Sequence, residues 1–352
     1  MDTITHGLLG AALGQACFSR QLGRHALVWG AAGGMLPDLD VVLIPFFGRM
    51  AEFEYHRGFT HAFWFGPVIG VLLGYATWRA YQRWERARGE SRLGAPGVLW
   101  AWMALWVITL FSHPLLDMCT SYGTQFYTPF SDTRVAWDAI GILDPFYTVW
   151  LIGAVLLGWC WPAAARNVAL AALFVSTSYL IYGFQLNRAA EAEIHRQLSA
   201  EGVEAARINA YPTLLQPYLR RAVARHDGQI RVGYLSMWRP HPIAWAVFPE
   251  SEHPLAEAIA ATPEGQLFTW FAMEQTHAEV HEADADGVHD VIFHDLRYGF
   301  PQRPEEGMWG IHGRFHAAGE VVGAIRPFSS SVPTPMREML LEFLDAAFPR
   351  GE

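Results

Sequence analysis

Apolar residues run in long blocks through the first half of the chain and in short alternations through the second. The blocks cover residues 26–47, 59–78, 97–116, 146–165 and 168–186. A helix needs about 20 apolar residues to cross a ~30 Å hydrocarbon core, so four of these blocks predict spanning helices cleanly, while 26–47 is interrupted by Asp38 and Asp40. The shorter block 7–18 predicts a sixth helix, short or partly inserted. After Asn187 the pattern changes. Residues 188–206 are rich in helix formers. Residues 229–248, 266–283, 288–300 and 308–328 carry the β-branched and aromatic residues of strands, and 336–348 read as a closing amphipathic helix. The expected fold is an α-helical membrane bundle of about six helices over 1–187, followed by an extramembrane α+β domain over 188–352.

Charge sharpens this division. Hydrophobic residues make up 52% of the 352 and charged residues 17%, against the roughly 25% charged of a soluble domain. Mean hydropathy is +0.13. Residues 1–187 hold 11 Arg and 11 Asp or Glu; the remainder holds 14 Arg and 23 acids, and so carries the whole net charge of −9. The chain has no Lys. An acidic second half argues against nucleic acid as a partner, because phosphate binding needs a basic surface. Three cysteines without a CxxC pair do not suggest a disulfide framework. The opening residues lack a basic run, so a cleaved signal peptide is not expected.

Arginines set the expected orientation. Arg79, Arg83, Arg86, Arg88 and Arg92 crowd one inter-helix segment, which the positive-inside rule places in the cytoplasm. Arg20, Arg24 and Arg166 then fall on the same side. The loop 117–145 and the tail fall outside.

That orientation, derived from arginines alone, brings seven ligand-type residues to one depth at the outer face: His6, Asp38, Asp40, His56, His61, His113 and Asp117. Ionisable groups in lipid cost roughly 2.5–3.5 kcal/mol each on insertion scales and rarely stand there without partners. A divalent cation resolves the charge. Imidazole with carboxylate suits zinc foremost, with manganese or iron as alternatives. Seven ligands suggest two ions, a common apparatus for phosphoester hydrolysis. His113 and Asp117 form an HxxxD on one helical face, and Pro37-Asp38-Leu39-Asp40 presents two carboxylates at a helix break.

The segments MDTITHGLLGAALG, GGMLPDLD, HRGFTHAFWFGP, SHPLLDMCTSYGTQFYTPFSD and LDPFYT together resemble the bacterial membrane-bound metal-dependent hydrolases, the domain of unknown function 457 family. Some of its members are controlled by the LexA repressor. The resemblance covers about residues 1–150 and does not reach the tail. It implies an inner-membrane hydrolase similar to zinc-dependent phospholipases C and single-strand nucleases, whose multi-zinc helical site contains an HxxxD matched here by His113 and Asp117. The chain lacks the ligating N-terminal tryptophan of those enzymes, which counts against a third ion.

Two further residues are candidates for catalysis. Arg57 is either an interfacial anchor or an oxyanion binder. Asp144 precedes Pro145 and either caps a helix or serves the site. In the tail, His277 and His281 form an HxxxH, but a strand there would make it a polar face rather than a metal pair. The expected function is hydrolysis of a lipid or amphiphilic phosphoester at the outer face of the bacterial inner membrane. Membrane lipids are the expected surroundings and the tail an extracytoplasmic lid or recognition module. The alternatives are a metal transporter, a metal-binding membrane protein without hydrolase activity, and a scaffold whose tail binds a partner.

Overall fold

A computed structural model of the protein describes residues 1–42, 44–250, 253–330 and 336–349. The chain forms two compact units. One comprises Met1–Ile44, Tyr55–Trp137 and Ile142–Tyr182; the other comprises Pro45–Glu54, Asp138–Gly141 and Gly183–Glu352.

The first half is helical. Its helices are α1 (Thr3–Leu22), α2 (His25–Met35), α3 (Ala51–Tyr55), α4 (Phe65–Arg86), α5 (Leu99–Met118), α6 (Pro145–Cys160) and α7 (Ala165–Ala200). Asp2 caps α1 by accepting from the Thr5 amide, and Gly23, at φ +59°, ends it. Pro37 cannot continue the α2 ladder, so the chain tightens into a 3-10 turn over Leu36–Val42. Helix α1 packs backbone to backbone on α2. A Cβ at Gly10 would collide with the Gly30 carbonyl, and one at Gly34 with the His6 carbonyl. These glycines set how close His6 comes to the chain that follows α2.

Among the described residues, three helical spans are long and apolar enough to cross a membrane: His25–Phe46, Pro96–Met118 and Ala165–Ala200. A fourth forms if Ala51–His61 and Phe65–Arg86, bent by 64° at their junction, count as one. Each of the six expected blocks contains a helix, but α2 ends at Met35 within block 26–47, α6 has only 16 residues and α1 does not meet the same standard, so six membrane helices are more than these spans support. The aliphatic and aromatic side chains Leu72, Leu156 and Phe174 are exposed at 60–75%, as lipid-facing residues are.

The second unit is rich in β-sheet. Strands β1 (Arg207–Pro212), β2 (Leu219–His226), β3 (Gln229–Ser236) and β4 (Ala246–Pro249) form one antiparallel sheet in sequence order. Helices α8 (Pro254–Ala261) and α9 (Pro263–Phe271) follow. Then come β5 (Thr276–Val280), β6 (Val288–Asp295), β7 (Gly299–Phe300), β8 (Arg303–Gly307), β9 (Trp309–His316) and β10 (Arg326–Ser329), and last α10 (Met336–Ala347). A second sheet has the order β10-β9-β6-β5, and β7 pairs with β8. Ala190, Ile194 and Leu198 of α7 pack with Ala210, Ala222 and Leu235 of the first sheet. Phe53 meets the Phe268 ring edge to face and the Phe271 ring at a tilt, with centroids 5.2 and 4.7 Å away.

Two local expectations change. Residues 266–283 are not one strand, because Thr262 accepts from the Gly265 amide and Pro263 takes the first helical position, which starts α9. Residues 188–200 continue α7 without a break instead of starting a new helix.

Candidate metal centre

Three helical segments converge on one point. Asp38 comes from the turn after α2, His61 from a 3-10 turn over Phe59–His61, and His113 and Asp117 from successive turns of α5. One ligand atom from each lies within 4.8 Å of the other three. The distances identify those atoms. His61 Nε2 lies 3.2 Å from Asp117 Oδ2 and 3.6 Å from Asp38 Oδ1, and His113 Nε2 lies 3.2 Å from Asp38 Oδ1 and 3.4 Å from Asp117 Oδ2.

Each of the four is held from behind. Thr3 Oγ1 donates to Asp38 Oδ2 at 2.6 Å. Thr60 Oγ1 donates to Asp40 Oδ2 at 3.2 Å and lies 2.9 Å from His61 Nδ1, so the proton of that second contact belongs to the imidazole. His113 Nδ1 lies 2.6 Å from the Gly34 carbonyl, which can only accept, so Nδ1 again carries the hydrogen. Arg57 Nη2 meets Asp117 Oδ1 at 3.0 Å. In the neutral form that a metal ligand requires, each imidazole so held turns an Nε2 lone pair inward, toward two carboxylate oxygens.

That inward cluster is frustrated without a cation. His61 Nε2, His113 Nε2 and Asp117 Oδ2 are buried and make no hydrogen bond among the described residues. His61, His113 and Asp117 are at most 1% exposed and Asp38 6%. Two carboxylate charges within 4.8 Å repel by about 3.5 kcal/mol or more at an effective dielectric near 20. Two nitrogens and two oxygens, inner lone pairs converging and outer atoms already engaged, are a donor set that fits a divalent ion.

The other expected ligands stand around this cluster. His6 stacks on His113, with centroids 3.5 Å apart, and its Nε2 lies 3.1 Å from Asp117 Oδ1, the outer oxygen. Asp40 accepts from His56 Nδ1 at 3.0 Å and lies 3.6 Å from His61 Nδ1, behind that ligand. Asp117 Oδ1 also lies 2.5 Å from the Met1 amino group. Arg57 reaches the site directly. Asp144 caps α6 by accepting from the Tyr147 amide at 3.1 Å and accepts from Tyr179 Oη at 2.8 Å. Sequence reasoning missed Thr3, Thr120 and the Gly34 carbonyl. A paired glycine just before a Pro-Asp turn was the available signal for the last.

In the tail, His277 pairs in register with His294 across β5 and β6, and Glu279 accepts from His294 Nε2 at 3.1 Å. His294 Nδ1 accepts from the Gly307 amide, so both of its nitrogens are spoken for and the histidines here make a polar strand face. Among the described residues the only metal-sized group is the one on α5.

A family model described as "YdjM inner membrane protein" matches residues 1–189, just over half the chain. The inner membrane protein YbcI of Escherichia coli (strain K12) is 29% identical over 182 residues, which is 45% of this chain and 95% of that protein. The uncharacterized protein YfhP of Bacillus subtilis (strain 168) is 30% identical over 200 residues, 53% of this chain and 54% of that one. The chain thus spans nearly all of the first relative and about half of the second. No solved structure matches.

Proposed function

From the premise that this chain belongs to the YdjM inner membrane protein family, we propose that it is a membrane-bound metal-dependent hydrolase. Asp38, His61, His113 and Asp117 would hold one divalent ion, zinc before manganese or iron. The observation that carries this reading is the set of three buried, unbonded ligand atoms facing one another. We read one ion here where the sequence suggested two, since His6, Asp40 and His56 stand behind these four residues rather than beside them. When bound, a divalent ion there supplies Lewis acidity and lowers the pKa of a water.

The chain's own residues do the rest. Asp40 and His56 are the least buried of the set, with side chains 10% and 16% exposed, and form the edge at which a substrate would enter. A phosphoester of lipid or amphiphilic character suits a buried site in a membrane helix bundle. The arginine-rich segment 79–92 supports placing this edge and the C-terminal domain outside the cytoplasm. The tail would select substrate.

One observation favours a second reading. All four donors come from the protein and all are nearly buried, as in closed structural sites, whereas catalytic sites keep a position open. A metal held without hydrolysis would fit that closure. Metal analysis of detergent-purified protein, followed by hydrolysis of phosphodiester and phospholipid substrates with and without chelator, separates the two. Bound metal with chelator-sensitive turnover supports the hydrolase. Bound metal without turnover supports the second reading, and protein that binds no metal sinks both.

A further inference from the structure

We propose that Arg57 is a positioning residue that, beside the Met1 amino group, restricts Asp117 to a one-oxygen ligand and puts a fixed guanidinium where a second cation would sit. The proposal rests on the metal reading above. Arg57 is 4% exposed and its backbone has φ +59°, a conformation a non-glycine residue rarely adopts. Two hydrogen bonds fix that turn: the Arg57 amide donates to Asp40 Oδ2 at 3.3 Å, and its carbonyl accepts from the Gln125 amide at 2.9 Å.

The turn aims the guanidinium at the back of Asp117. Nη1 donates to Thr120 Oγ1 at 2.9 Å and to the Asp117 carbonyl at 3.4 Å, and the Arg57 guanidinium carbon lies 4.5 Å from the centre of the Tyr122 ring. Nη2 meets Oδ1 at 3.0 Å. The guanidinium is thus locked before it meets the carboxylate. Asp117 Oδ1 meets this permanent positive charge together with the Met1 amino group at 2.5 Å and His6 Nε2 at 3.1 Å, and Oδ2 is left facing His61 and His113. A carboxylate that bridges two ions needs both oxygens, and here one is taken. An arginine so engaged is also not poised to bind a substrate anion, the other role its position suggested.

The test measures metal directly. Wild-type, Arg57→Ala and Arg57→Lys proteins are purified in detergent, and their zinc content and affinity are read by chelator competition. Cobalt(II) is then substituted and its visible bands recorded. We expect one equivalent of zinc in the wild type. Arg57→Ala should bind about 10- to 100-fold more weakly, the usual loss when an outer-sphere partner is removed, with displaced cobalt bands. Millimolar methylguanidinium should restore both. Arg57→Lys keeps the charge but not the fork, so it should bind with intermediate affinity and altered bands; it carries the test if the alanine variant does not fold. Wild-type affinity and bands in either variant, or two equivalents in the wild type, would overturn the proposal. A wild-type protein that binds no zinc would instead overturn the metal reading itself, an outcome visible before any variant is made.

Discussion

The Nδ1 of His113 lies 2.6 Å from the carbonyl oxygen of Gly34. This one bond ties α5 to the end of α2 and sets the tautomer of a candidate ligand. It depends on α1 lying directly against α2, because the room beside Gly34 is filled by the His6 carbonyl. Gly34→Ala would force the helices apart. The expected cost is about 1–3 kcal/mol of stability from overpacking, together with loss of bound metal as His113 loses its orientation. Thermal melting and metal content measured on the same sample check both. A variant that melts like the wild type and keeps full metal would show that this packing is not what aims His113.

The four ligands and the surrounding residues should separate in a substitution series. His113→Ala and Asp38→Ala remove inner donors and should each abolish stoichiometric metal. Asp144→Ala removes the α6 cap and the Tyr179 contact. It should lower stability by about 1 kcal/mol and leave metal content whole. Metal loss in the Asp144 variant, with helicity retained, would return that residue to the site.

Much of the site was legible because charge in an apolar helix has few explanations. His6, Asp38, His61, His113 and Asp117 could be gathered by depth alone. Depth could not rank them, since ranking depends on where each side chain turns. Asp38 and Asp40 differ by two residues on a 3-10 turn, about two thirds of a revolution, which puts one among the inner donors and the other behind His61. Partners such as the Gly34 carbonyl carry no side-chain signal at all. In the tail, the β-rich composition of 266–283 hid the Thr262-Pro263 start of α9, where a cap and a fixed proline φ outweigh strand propensity.

Orientation is the expectation on which the outer-face reading stands. Alkaline phosphatase fused after Asn187 should be active and green fluorescent protein at the same place dark, because the positive-inside rule predicts a cytoplasmic place for the arginines of 79–92. Fluorescence with an inactive phosphatase would move the candidate site to the cytoplasmic face.

The tail histidines should affect stability against pH rather than metal content. His277 lies under Phe248, with ring centroids 4.5 Å apart. Burial, with a smaller contribution from His294, pushes its pKa down to about 4 from 6.5. The unfolded chain therefore takes up this proton first as pH falls. The resulting stability is complete above about pH 7 and is lost as pH drops from 6.5 toward 4. Glu279 behaves differently. Its hydrogen bond from His294 lowers its pKa below the ordinary 4.5, so its contribution is present above that value and is lost as pH falls below it. His277→Gln should then flatten stability between pH 6.5 and 4.5 while leaving the loss at lower pH in place, as read by denaturant unfolding at a series of pH values. The double variant His277→Ala with His281→Ala should keep its metal, since every inner donor lies in the first unit. An unchanged pH slope in His277→Gln would mean that the imidazole is already solvated. Loss of metal in the double variant, with its circular dichroism unaltered, would mean that the tail completes the site.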